Sequence, residues 1–232
     1  MAENFKIKQS VRGYRFSMDP FLLADNITAL RAQKVLDMGA GNGILPLLLH
    51  KLFPEARFWG IDIQREPLIH ARENCACIKN PPLFIQSDIR YAESFIKAGS
   101  FDVAVSNPPY RKAGSGRINP ADAKAVARHE LALTFAELVK AANHALADGG
   151  LFCIVHLAER SAEVIHTLIQ NRFAPINIRF VHGKPGRDAY LIIVNSIKNG
   201  RNPVRVRTPV TVFSSNGEFS AEIKAIYKRF NV

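Results

Sequence analysis

Residues 34–43 read KVLDMGAGNG. A short apolar run ends in Asp37, and glycines follow at alternate positions, Gly39, Gly41 and Gly43, with Ala40 and Asn42 between them. The run predicts a buried strand, and the glycines a turn whose backbone can enter left-handed conformations and approach a ligand closely. The following ILPLLLHKLF (44–53) predicts a helix, with Pro46 tolerated in the first turn. A strand, a glycine turn and a helix N-terminus in that order place a binding site at the carboxyl end of a parallel sheet.

The same alternation extends downstream. RFWGID (57–62), LFIQSD (83–88), FDVAVS (101–106) and LFCIVH (151–156) predict further strands, and EPLIHARENCACIK (66–79) and RSAEVIHTLIQN (160–171) predict helices. TFAELVKAANHALADGG (134–150) predicts a helix with Thr134 and Glu137 as a capping box and Gly149–Gly150 as its stop. INIRFVH (176–182) and AYLIIVNSI (189–197), joined by GKPGRD, predict an antiparallel pair. The expected fold class is therefore α/β: a seven-stranded sheet, parallel except for its last strand, with helices on both faces. In the tail, VTVFS predicts a strand, Asn216-Gly217 a turn, and Ser220 the start of a last helix. In the head, MDPFLLADNITAL (18–30) predicts a helix with Asp19 as N-cap and Pro20 at its first position.

The glycine turn also narrows the ligand. A dinucleotide turn, GxGxxG, requires a glycine where Ile44 stands, and Asp37 would repel a pyrophosphate. A carboxylate at that position suits a cationic amine. Asp62 closes the second strand at the distance expected for an acidic residue on ribose hydroxyls. Ile63 is placed to pack on an adenine face, and Asp88, followed by Ile89, to accept from the adenine amino group. A lone aspartate at a strand end is most simply an Asx turn or a helix cap. Three at successive strand ends behind a DxGxGxG turn predict S-adenosylmethionine, with S-adenosylhomocysteine as product. The expected cofactor residues are Asp37, Gly39, Ala40, Gly41, Gly43, Asp62, Ile63, Asp88, Ile89 and Asn107.

The fourth strand ends in Ser106, Asn107, Pro108, Pro109 and Tyr110. The prolines stop the sheet ladder and fix the aim of the carbonyl before them. An amine conjugated to a ring is a poor nucleophile because its lone pair is delocalised. Acceptors on its two N–H groups, the Asn107 side-chain oxygen and the Pro108 carbonyl, favour a more tetrahedral nitrogen. Tyr110 would stack on the ring, and a base within a duplex or loop would first be flipped out. The expected catalytic set is Asn107, Pro108, Pro109 and Tyr110.

Net charge is +11 over 232 residues, and its distribution is uneven. Residues 1–35 carry six basic and three acidic groups and residues 171–232 eleven and three, so the flanks hold +3 and +8. That leaves 14 of each sign for residues 36–170. Basic flanks around a neutral centre predict a polyanionic partner. Candidate phosphate contacts are Arg111, Lys112 and Arg128 after the fourth strand, and Arg201, Arg205 and Arg207 in the tail. Three cysteines, no apolar run of membrane-spanning length and a start without a secretory apolar segment predict a cytoplasmic protein. No metal site is expected, and the oligomeric state is open.

With these residues in view, DMGAGNG and SNPPY resemble the class I amino-methyltransferases over roughly residues 34–197. More narrowly, RFSMDPFLLA (15–24), the 107–130 loop with its ARHE ending and VFSSNGEFSAEIKAIY (212–227) resemble the bacterial family that methylates adenine N6 beside the anticodon of a valine tRNA. The resemblance implies the class I Rossmann-like fold, S-adenosylmethionine and a tRNA substrate. It also implies three segments: an N-terminal extension on the substrate side (1–33), a catalytic cofactor-binding domain (34–197) and a basic C-terminal extension packed on that domain (198–232). Because NPPY also occurs in enzymes acting on other conjugated amines, a release-factor glutamine amide and the N2 of an rRNA guanine are alternative substrates. An RNA-binding protein with a vestigial cofactor site is the non-enzymatic alternative.

Overall fold

Nearly continuous burial along β1 (Lys34–Met38) and β4 (Phe101–Ser106) marks them as the centre of a sheet covered on both faces. A computed structural model describes residues 18–29, 31–108, 133–201 and 203–231. In it β2 (Arg57–Asp62) and β3 (Leu83–Gln86) extend the sheet on one side in parallel. On the other side β5 (Leu146–Leu157) lies parallel to β4, and β7 (Ala189–Lys198) is inserted antiparallel between β5 and β6 (Phe173–His182). The strand order is β3-β2-β1-β4-β5-β7-β6-β8. Strands β1 to β6 thus end at one edge, where β7 begins.

The seven expected strands are present, and the tail adds two. β8 (Arg205–Val206) and β9 (Val210–Thr211) both pair with the outer side of β6 in parallel, so the tail covers an edge otherwise open to pairing. Helices α1 (Asp19–Asn26), α2 (Ile44–Leu52), α3 (Arg65–Asn74), α4 (Ala92–Phe95), α5 (Phe135–Ala145), α6 (Ser161–Gln170) and α7 (Ala221–Arg229) are the described α-helices, with 3₁₀ turns at Ile89–Tyr91 and Ala158–Arg160. One face of the sheet packs on α1, α2 and α7 through Phe21, Leu22, Leu48, Ile223 and Phe230. The opposite face packs on α5 and α6 through Leu138, Val139, Val164 and Leu168.

The structure departs from the sequence expectations at several points, and the helices expected over 18–30 and 66–79 end at Asn26 and Asn74. Gly149 and Gly150 do not stop α5, which ends at Ala145; they lie inside β5, where the register against β4 jumps between Phe101 and Val103. Gly149 supplies the positive φ of +79° that this bulge needs. In α1 the cap is Met18, whose carbonyl accepts from the Phe21 and Leu22 N–H groups, so Asp19 and Pro20 sit one position further into the helix. The capping box of Thr134 with Glu137 and the Ser220 cap of α7 form as read.

Head and tail meet in one buried polar network. Arg179 on β6 donates to the Thr208 carbonyl at 2.8 Å, to Asn26 Oδ1 at 3.2 Å and to the Glu222 carboxylate on α7. Asn195 Nδ2 donates to the Asn26 carbonyl at 2.6 Å. Lys51 on α2 donates to the Phe230 carbonyl, fixing the end of α7.

Candidate active site

The sheet's carboxyl edge collects the residues that the sequence singled out. Asp37 is 2 % exposed, and its Oδ1 is buried without a hydrogen-bond partner among the described residues. Burial, and then the nearby Asp62 carboxylate, push its pKa well above the usual carboxylate range. A buried acceptor of this kind is costly until a cation reaches it.

The turn after it is rigid. The Gly39 and Ala40 N–H groups both donate to the Ile61 carbonyl, at 2.8 and 2.9 Å, and Gly43 N–H donates to the Ala40 carbonyl at 2.8 Å. Gly39 and Gly41 have φ of +87° and +49°, and a Cβ on either would meet nothing within 4 Å, so their open faces can admit a ligand. Gly43 serves another end. A Cβ there would lie 2.9 Å from Ala71 Cβ and 3.0 Å from Phe84 Cζ, so this glycine lets α3 and β3 pack against the turn.

Asp62 organises the same turn: Oδ2 accepts from Gly41 N–H and Oδ1 from Gln64 N–H, both at 2.8 Å. Each oxygen keeps a lone pair for a hydroxyl. Ile63 beside it is 44 % exposed, so its side chain is open to a ligand. Asp88 caps a 3₁₀ turn (Ile89–Tyr91) by accepting from Arg90 N–H and holds the Arg90 guanidinium through both oxygens. That pairing keeps its pKa low, while Ile89 is buried in the core below. The cap reading of Asp88 is therefore realised, and only its remaining lone pairs are open to a base.

At the end of β4, Ser106 Oγ donates to the Met38 carbonyl at 2.6 Å, fully buried. This bond ties the start of Asn107-Pro108 to the strand end that carries Asp37. Of the expected catalytic set, Asn107 and Pro108 are thereby held beside the glycine turn; Pro109 and Tyr110, like Arg111, Lys112 and Arg128, lie outside the described residues.

His156 escaped the sequence reading because it lies in an apolar strand with no motif around it. It lies one residue before the end of β5, 3 % exposed and edge-on to the Phe135 ring at 5.4 Å. Its Nδ1 accepts from Leu157 N–H at 2.8 Å, and burial lowers its pKa to about 4, so it is neutral at pH 7 with the proton on Nε2. The tail arginines sit elsewhere. Arg201 follows the end of β7 at the opposite, amino edge, and Arg205 and Arg207 lie midway along β6.

These features fit S-adenosylmethionine: the unpartnered Asp37 oxygen suits its ammonium, the Asp62 lone pairs its ribose, and the open faces of Gly39 and Gly41 its backbone approach. The sequence profile of the methyltransferase small domain matches residues 18–180. The chain belongs to the methyltransferase small domain family. Among its curated relatives, a Yersinia enterocolitica protein is 26 % identical over 208 residues, covering 80 % of this chain and 81 % of the relative. An Aeromonas hydrophila protein is 25 % identical over 219 residues, covering 94 % and 90 %. Both are named tRNA1(Val) (adenine(37)-N6)-methyltransferase. Among solved structures, an Agrobacterium tumefaciens protein described as a predicted O-methyltransferase superposes with a TM-score of 0.73 at 21 % identity, covering 92 % of this chain and 97 % of that one. The fold of this methyltransferase small domain protein is accordingly the class I methyltransferase fold, mostly parallel with an antiparallel strand at its C-terminal side.

Proposed function

We propose that the protein is an S-adenosylmethionine-dependent methyltransferase that acts on the exocyclic N6 amine of an adenine in tRNA. The observation that supports this reading is the buried bond between Ser106 Oγ and the Met38 carbonyl, which ties the start of Asn107-Pro108 to the strand end that carries the buried Asp37. The tRNA adenine is supported by the likeness to relatives named for that substrate over up to 94 % of the chain.

S-adenosylmethionine, when bound, supplies a methyl group activated on a sulfonium. Asp37 would hold the ammonium, Asp62 would accept from the ribose hydroxyls, and Ile63 and Asp88 would serve the adenine. Gly39, Ala40, Gly41 and Asn107 would complete the cofactor wall, with Gly43 and Ile89 packing behind it. Asn107 Oδ1 and the Pro108 carbonyl accept from the two N–H groups of the substrate amine and aim its lone pair. Pro109 fixes that aim and Tyr110 stacks on the base. After transfer the methylated nitrogen loses its surplus proton to solvent water, so no general base is required for the methyl transfer itself.

The segment 34–197 acts as the catalytic domain, 1–33 extends its substrate side, and 198–232 is a basic extension packed on the same domain. Arg111, Lys112, Arg128, Arg201, Arg205 and Arg207 contribute charge toward RNA. Asn107→Ala removes one of the two acceptors and is expected to lower kcat for tRNA methylation by roughly 10²–10³-fold. Near wild-type transfer by that variant would contradict the assignment.

A further inference from the structure

The β6–β7 connection has a second role. Residues 184–187 read Lys-Pro-Gly-Arg, and Arg187 N–H donates to the Lys184 carbonyl at 3.3 Å. Pro185 fixes φ near −65° and Gly186 takes φ of +69°, the signature of a type II turn. Such a turn sets its first and fourth residues side by side, here Lys184 and Arg187, both exposed. His182 Nδ1 donates to the Arg187 carbonyl at 2.6 Å and holds the turn from below. Neither Lys184 nor Arg187 forms an ion pair with a described residue, although Asp188 follows directly.

Where this turn lies matters more than its charge. β6 runs parallel to β5, so the connection leaves the sheet at the carboxyl edge, the edge that carries Asp37 and Asn107. The path from β4 through β5 and β7 to β6 is three strand spacings, about 14 Å, within the span of a few nucleotides. Beside the turn the tail adds aromatic surface. Val212 N–H donates to the His182 carbonyl at 2.8 Å and Phe213 N–H to the Gly183 carbonyl at 3.0 Å. The Phe213 and Phe219 rings stack at 5.3 Å and 14°, and Phe219 and Tyr190 are 37 % and 40 % exposed.

We infer that the Lys184–Arg187 turn is a phosphate clip which, with the Tyr190 and Phe219 surface, grips the RNA strand flanking the reactive base; this rests on the RNA reading above. A single-stranded nucleic acid uses both features at once, phosphates on the cations and base faces on the rings. The pre-set turn places its two charges without ordering a loop, which distinguishes it from the arginines spaced along the sheet's side.

The test is direct binding of total tRNA by fluorescence anisotropy across a salt series. Lys184→Glu/Arg187→Glu is expected to weaken binding at least tenfold and to lower the slope of log K against log salt by about 1–2. Its S-adenosylhomocysteine affinity should match wild type. Lys34→Glu/Lys97→Glu changes the net charge equally, from exposed positions at the amino edge, and should weaken binding far less. If the two double variants weaken binding alike, or if the turn variant binds as wild type does, the clip is overturned while the RNA reading stands. If wild-type protein binds no tRNA, the RNA reading fails and the clip with it. Should the charge reversal lose cofactor binding, Lys184→Gln/Arg187→Gln repeats the measurement with less disturbance.

Discussion

Replacing Asp37 by Asn keeps its size and removes its charge, and should move cofactor affinity and stability in opposite directions. The carboxyl is fully buried, its Oδ1 has no described partner, and burial and Asp62 raise its pKa. A raised folded pKa means that the folded chain binds a proton the unfolded chain has released. Stability from this group is present below the ordinary carboxylate pKa of 3.8 and is lost as pH rises through the raised value. Above that value the unliganded protein holds an unpaired buried charge, a penalty of about 1–3 kcal/mol, or roughly 3–9 °C in Tm for a chain of this size. Asp37→Asn should flatten this pH dependence and match or exceed the wild-type Tm at pH 7.5. In the complex the charge is paired with the cofactor ammonium, and removing one partner of a buried pair costs about 3–5 kcal/mol. That corresponds to roughly two to three and a half orders of magnitude in Kd. Titration calorimetry with S-adenosylhomocysteine at pH 7.5 reads the loss directly. Wild-type affinity should also fall with pH below the raised Asp37 value, approaching tenfold per unit, because a proton must leave before the ammonium binds. Asp37→Asn binding within threefold of wild type, with an unchanged acid limb, would refute the reasoning.

Other substitutions test the frame around the site. Gly43→Ala forces a Cβ to 2.9 Å from Ala71 Cβ at φ +75°, and urea unfolding should show a loss of about 2–4 kcal/mol, whereas Gly39→Ala, with open space, should lose about 1 kcal/mol. His156 has a folded pKa of about 4 against 6.5, so the stability it contributes is present above 6.5 and lost as pH falls toward 4, up to about 3 kcal/mol. Thermal melts of His156→Gln should lack that acid-side slope. Arg179→Met removes the guanidinium shared by the Thr208 carbonyl, Asn26 Oδ1 and the half-exposed Glu222 carboxylate and should cost about 1–3 kcal/mol, with proteolysis of the tail beyond residue 200 accelerating before global unfolding.

Much of this was legible because the elements near the site carry local chemistry. Asp37, the glycines and Asp62 read correctly as a turn at a strand end since glycine conformations and strand periods are properties of neighbouring residues. What was missed depends on residues distant in sequence. The 68-residue separation of Ser106 from Met38 hides the bond that sets Asn107 beside the turn. Asp88 spends much of its acceptor capacity on Arg90, two residues away, a competition that a count of strand-end aspartates does not reveal. Gly149 and Gly150 carried a helix-stop signal, but the pairing of β5 with β4 used them for a bulge. The GKPGRD turn was legible as a turn, whereas its location at the catalytic edge follows only from β7 being inserted between β5 and β6.

Purified protein incubated with methyl-labelled S-adenosylmethionine and total tRNA from cells lacking the enzyme, followed by digestion and mass spectrometry of the nucleosides, should yield labelled N6-methyladenosine. Asn107→Ala should yield little. Label confined to another nucleoside, or to protein with none in RNA, would contradict the account.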